Sequence, residues 1–145
     1  MHELSIAQNI VDAALEEADK AGAEKVLSIE IKVGELMQVE VDVLREALGL
    51  LMKGKRLEGA SVKLDLVRAS FSCSKCGETW GMEEARRQLA GVPDELRVRE
   101  PDSVELPLHF LPQLYPAFLR CPRCGSSDVS VTAGEDIWLR RVELQ

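Results

Sequence analysis

The chain has 145 residues, 46% of them apolar and 30% charged, a balance that reads as a globular protein with an adequate core and not as a disordered one. Its 18 basic and 25 acidic side chains leave a formal charge of −7, which argues against nucleic acid as a partner, because phosphate affinity comes from clustered Lys and Arg. No apolar run approaches the roughly 18 residues of a membrane span, and the start lacks the basic and apolar regions of a signal peptide, so a cytoplasmic location is expected.

The chain begins Met1-His2-Glu3. An α-amine, a backbone amide and an imidazole fall within two residues of each other. On one ion the amine and amide would close a five-membered ring and the amide and imidazole a six-membered one, with the Glu3 carboxylate in reach. Tetragonal nitrogen and oxygen donors of this kind suit Ni(II) or Cu(II) rather than zinc or magnesium. The bulk of His2 should leave Met1, and with it the amine, in place. The competing reading is a terminal residue that simply frays.

A helix is predicted from about Ser5 to Ala21. Ser5 and Gln8 have capping-box spacing, Ile6, Ile10, Val11, Ala14, Leu15 and Ala18 recur at helical period, and Gly22 is the stop. Lys25 to Val33 alternates as a half-buried strand ended by Gly34. Asp42 is the expected cap of a second helix with Leu44, Ala47, Leu48, Leu51 and Met52 on its apolar stripe, and Ser61 to Ala69 alternates again. A short helix is predicted over Met82 to Leu89, followed by a stretch punctuated by Pro93, Pro101, Pro107, Pro112 and Pro116. That stretch carries Leu106, Leu108, Phe110, Leu111, Leu114, Tyr115 and Phe118, apolar surface expected to dock on the body or on a partner. Asp136 to Leu144 is β-prone with imperfect alternation, so a bulge or a two-sided strand is expected.

All four cysteines are paired, as Cys73-Ser-Lys-Cys76-Gly and Cys121-Pro-Arg-Cys124-Gly. Each pair has the spacing of a zinc knuckle, and Gly77 and Gly125 permit the tight turn that brings amides toward sulfur. Two knuckles complete a tetrahedral four-sulfur site with no open position, so the zinc is structural and supplies folding energy. Disulfides fit poorly with a cytosolic chain, and a redox pair would occur once, near a βαβ unit. The 44-residue spacer between the knuckles far exceeds the roughly 15–20 residues of common two-knuckle patterns. The expected fold is α+β, with two helices packed on a mainly antiparallel sheet and an inserted zinc-ribbon-like domain. The expected division is 1–69 with 133–145 as one domain, and 70–132 as the zinc domain with a long insertion at about 81–120.

Met1-His2-Glu3 before a helix, Val33-Gly34-Glu35-Leu36 after the first long strand, and paired knuckles before a final strand occur here in one order. In that order the chain resembles the HypA/HybF nickel metallochaperones of [NiFe]-hydrogenase maturation, over nearly its whole length and with the long spacer as the departure. The resemblance implies a nickel domain built around Met1, His2 and Glu3, with Glu40 as a weaker carboxylate candidate. It also implies structural zinc on Cys73, Cys76, Cys121 and Cys124, with Ni(II) as transient cargo. The implied partners are the nucleotide-hydrolysing factor HypB and the hydrogenase large subunit; a homodimer stays open. His109, the only other histidine, is either a packing residue or a further nickel ligand. The rival readings are a zinc-ribbon module for protein or nucleic acid, and an enzyme. Against an enzyme, the sequence offers no nucleophile with an evident base, no glycine-rich phosphate loop and no open catalytic zinc site.

Overall fold

The computed structural model describes residues 3–91, 98–100, 103–105 and 115–145, with the backbone alone at 98–100, 103–105 and 115. Two compact units emerge. The first comprises Met1–Val33, Val39–Leu66 and Ile137–Gln145, and the second Gly34–Gln38 and Val67–Asp136.

In the first unit, helix α1 (Glu3–Ala21) turns Ala7, Ile10, Val11, Ala14 and Ala18 inward at helical spacing. The helix begins at Glu3, two residues before the cap expected at Ser5, which lies inside its first turn. Its end follows the sequence: Gly22 has φ +65°, the Gly22 amide donates to the Asp19 carbonyl, and the Ala23 amide donates to the Ala18 carbonyl, which together make a Schellman stop. Helix α2 (Val41–Met52) is capped by Glu40 rather than Asp42. No side-chain hydrogen bond makes that cap; the Glu40 carbonyl accepts from the Leu44 amide at 2.9 Å.

Both helices bury their stripes with three strands in the order β2-β1-β8, where β1 is Val26–Gly34, β2 is Ser61–Val67 and β8 is Ile137–Leu144. Ile29, Ile31 and Val33 of β1 and Leu44, Ala47, Leu48 and Met52 of α2 form the centre of this core, with Leu57. Strands β1 and β8 run antiparallel, and the register shifts where Glu30 and Ile31 face Arg141 and Leu139, so Arg140 is the extra residue of a bulge. The imperfect alternation of β8 has this cause. Away from the core, Glu30, Lys32, Lys63, Asp65 and Arg140 form a lattice of ion pairs, the shortest between Lys32 Nζ and Asp65 Oδ2 at 2.9 Å. The Lys32 ammonium holds the Asp65 carboxyl below its usual range.

The second unit is a small sheet in the order β4-β3-β7, made of β3 (Ser70–Cys73), β4 (Thr79–Gly81) and β7 (Val129–Ala133), with helix α3 (Met82–Leu89) and the single turn α4 (Tyr115–Phe118). A two-stranded hairpin, β5 (Val98–Glu100) with β6 (Ser103–Glu105), lies in the spacer. Strand α-carbon partners Phe71 and Trp80 face each other across β3 and β4, and their rings stack at 6.1 Å. Around them pack Leu36, Met82, Ala85, Leu89, Leu119, Cys73 and Cys121. Phe118 joins this core as a partly buried side chain; Leu106, Leu108, Phe110, Leu111, Leu114 and the Tyr115 side chain lie outside the described residues.

Residues 34–38 group with the second unit. The backbone gives the reason. The Gly34 amide donates to the Asp136 carbonyl at 2.7 Å and the Leu36 amide to the Gly134 carbonyl at 2.9 Å. A Cβ on residue 34 would stand 2.4 Å from the carbonyl oxygens of both Asp136 and Gly134, so only glycine fits this crossing.

Candidate metal centres

The two knuckles repeat one local design. Cys73 closes β3, and the Gly77 amide donates to its carbonyl at 2.9 Å; the Gly125 amide donates to the Cys121 carbonyl at the same distance. Gly77 and Gly125 sit at φ +80° and +75°, the left-handed conformation each turn needs. The turns aim amides at sulfur. The Lys75 amide reaches Cys73 Sγ at 3.3 Å, and the Arg123 and Cys124 amides reach Cys121 Sγ at 3.4 Å each.

The spacing that suggested zinc is matched by the geometry. The four Sγ atoms lie within 4.8 Å of one another, with Cys73 to Cys124 at 3.6 Å and Cys76 to Cys121 at 3.5 Å. A tetrahedron with metal–sulfur bonds of about 2.3 Å has edges of about 3.8 Å, so the cluster has the size for one such ion and the donor chemistry zinc prefers. Cys73 and Cys121 are buried, Cys76 is half-buried and Cys124 is exposed.

The thiols of the cluster titrate apart. The Cys76 amide, working against burial and with the Lys75 amide and the thiols of Cys124 and Cys76, brings the Cys73 thiol down to about 7. At Cys76 the Glu78 amide pulls the thiol down, but burial and the sulfurs of Cys121, Cys124 and Cys73 outweigh it and push the thiol up to about 12. Burial acts upward on Cys121 too, yet the Cys124 and Arg123 amides and the neighbouring thiols lower it overall. Protons therefore compete with a cation for these sulfurs; a bound dication would offset the mutual repulsion of thiolates and favour loss of the remaining protons. Zinc affinity should accordingly fall with pH, more steeply below about 7, where Cys73 also has to lose its proton, than above it. Competition with a chelator between about pH 6 and 8 checks this, and a pH-independent affinity contradicts a four-thiolate site.

Of the nickel candidates, Met1, His2 and His109 lie outside the described residues. Glu3 is the first residue of α1, where the exposed amides of a helix start favour an anion, and it is 5% exposed. Its Oε1 accepts a hydrogen bond from the Glu40 amide at 3.1 Å. Glu40 thus meets Glu3 through its backbone, and it is exposed. Glu35, which the sequence offers only as part of the Val33-Gly34-Glu35-Leu36 motif, has long-range partners. Its Oε1 accepts from the Ala69 amide at 2.9 Å and its Oε2 lies 3.5 Å from Arg86 Nη2, which ties the turn after β1 to the start of β3. Nothing in the local sequence signals that contact, since the partners are 34 and 51 residues away.

Residues 1–144 match the family profile described as hydrogenase/urease nickel incorporation, metallochaperone, HypA. The chain is 37% identical to the hydrogenase maturation factor HypA of Pyrococcus horikoshii over 145 residues, all of this chain and 96% of that one. It is 32% identical to the protein of the same name from Methanopyrus kandleri, with 100% of this chain and 94% of that one covered. The fold is similar to the solution structure of the Ni metallochaperone HypA from Helicobacter pylori, with a TM-score of 0.57 at 16% identity, covering 99% of this chain and 97% of that one. Among the described residues no helix is long and apolar enough to cross a membrane. With residues 1–144 matched by the profile and the whole chain covered by relatives above 30% identity, the chain belongs to the HypA family.

Proposed function

We propose that this chain carries Ni(II) on its N-terminus and delivers it for hydrogenase maturation, with the four cysteines holding a structural zinc. The family's description as a nickel-incorporation metallochaperone makes this a transfer protein and not a catalyst. The observation that carries the reading is the closed sulfur cluster. It engages every cysteine of the chain, and among the described residues it is the one grouping of His, Cys, Asp and Glu side chains placed to hold a metal. Nitrogen and oxygen donors are then left for the cargo, which Ni(II) accepts in tetragonal geometry.

In this reading the Met1 amine, the His2 amide and the His2 imidazole bind nickel, with Glu3 adding a carboxylate; His109 and Glu40 are the weaker candidates. The amide must lose its proton and the amine and imidazole must be neutral, so nickel is released as pH falls toward the imidazole pKa of about 6.5. A site at a chain end is open on the side from which a recipient approaches. Zinc held by Cys73, Cys76, Cys121 and Cys124 would supply a cross-link between the knuckles. The chain's own amides at Cys73 and Cys121 hold those thiolates for it. The partners in this scheme are a HypB-like nucleotide-hydrolysing factor and the hydrogenase large subunit, in the cytoplasm.

X-ray absorption on protein loaded with both metals tests the assignment. The zinc edge should show four sulfurs at about 2.3 Å and the nickel edge only nitrogen and oxygen donors. A sulfur shell around nickel would reject it.

A further inference from the structure

The spacer between the knuckles poses a physical problem. Joining Cys76 and Cys121 at one ion closes a loop of 44 residues, 77–120, and the entropy lost on closure grows with loop length. The second unit contains a contact that shortens this path. The side-chain amide of Gln88, in the last turn of α3, engages both backbone groups of Arg120: its Nε2 donates to the Arg120 carbonyl at 2.9 Å, and its Oε1 accepts from the Arg120 amide at 2.8 Å. Gln88 thus pairs with Arg120 as a neighbouring strand would. The residue after Gln88 and the residue before Arg120, Leu89 and Leu119, are 8% and 1% exposed and belong to the same core as Cys73 and Cys121. Arg120 is followed directly by Cys121, the first thiol of the second knuckle.

We propose that Gln88 and Arg120 form the neck of the insertion, and that this neck positions the second knuckle for zinc independently of the insertion's length. Across the neck, the path from Cys76 to Cys121 passes through residues 77–87 and then Gln88 and Arg120, thirteen residues in place of 44. With closure probability falling as about the three-halves power of length, the shorter path favours zinc by up to about six-fold. The thirteen-residue path is also close to the roughly 15–20 residues that separate knuckles in common two-knuckle sites. Gln88 is therefore a positioning residue. It touches no sulfur, and it acts by holding Arg120, and with it Cys121, where the ligand is needed. This inference rests on the reading of the four cysteines as a zinc site.

Gln88→Met tests it, because methionine keeps the length and helix preference of glutamine while removing both hydrogen bonds. Gln88→Ala, with the strongest helix preference, is the second variant. Zinc affinity is measured by competition with a chromophoric chelator, beside the Co(II) spectrum of each protein. Both variants should lose zinc affinity toward the six-fold limit, with a tetrahedral Co(II)–thiolate spectrum still formed at saturation. Glu84→Ala is the control: it removes the other hydrogen bond of the same side chain, from Gln88 Nε2 to Glu84 Oε1 at 3.2 Å, and should leave zinc affinity unchanged. Equal zinc affinity in wild type and both Gln88 variants would overturn the neck's role alone. A wild-type chain that takes up no stoichiometric zinc and gives no thiolate spectrum with Co(II) would overturn the metal site and the neck together.

Discussion

Serine in place of Cys121 should unfold the second unit and leave the first one folded. The reasoning is one of magnitudes. A structural zinc site contributes roughly 10–16 kcal/mol, as much as or more than the 5–15 kcal/mol that stabilises a typical whole domain. The core of the second unit is small, and two of its buried members, Cys73 and Cys121, are themselves proposed ligands. Loss of the ion therefore removes the cross-link and loosens the packing around Phe71, Trp80 and Leu119 at once. The first unit keeps a separate core running from Ala7 to Leu57, which contains no cysteine. The two tryptophans report on the two units separately. Trp80 is 9% exposed in the second unit, and its emission should shift to the red and lose its protection from quenchers. Trp138 is 44% exposed in the first and should change little. Far-ultraviolet dichroism should retain the signal of α1 and α2. A Cys121→Ser protein that has lost its zinc yet keeps native Trp80 emission would contradict a structural role for the metal.

How far the sequence discloses this architecture depends on the range of each interaction. The knuckles are legible because the features that mark them lie within five residues: two thiols, a glycine that must turn left, and the amides between. Helix α3 and the strands β1 and β2 are legible for the same reason, since apolar period and nearby glycines specify them. The first helix already includes Glu3, whose carboxylate accepts from the Glu40 amide 37 residues away, a partner that no local pattern announces. Capping-box spacing at Ser5 and Gln8 is present in the sequence, but Ser5 lies inside the helix. The same holds for Gly34. As a sequence symbol it ends a strand; in the fold it is the one residue small enough to pass the carbonyls of Gly134 and Asp136. Leu119 and Gln88 carry no period or motif, yet they fasten the end of the spacer to the second unit's core. The family resemblance supplies what neither period nor packing gives, the assignment of the opening tripeptide to nickel.

That assignment depends on a free α-amine at Met1. In the proposed chelate the amine and the His2 amide share a five-membered ring, so removing the amine breaks one ring and leaves the amide with little reason to lose its proton. Loss of an outer-shell partner typically weakens a metal site about 10–100-fold, and loss of a donor atom with its ring should exceed that. Zinc, held by sulfur in the other unit, should not respond. An acetyl cap on Met1, or a flexible extension of about ten residues ahead of it, removes the amine as a donor. A single added residue is the wrong probe, since it would make His2 the third residue and offer an amine, two amides and an imidazole as a new four-nitrogen chelate. The decisive measurement is isothermal titration of nickel into the free and the acetylated protein, with zinc content determined on the same samples. The expected result is a nickel affinity weakened by more than about 100-fold on acetylation, with one zinc per chain in both samples. Equal nickel affinity in the two proteins would contradict nickel carriage by the N-terminus.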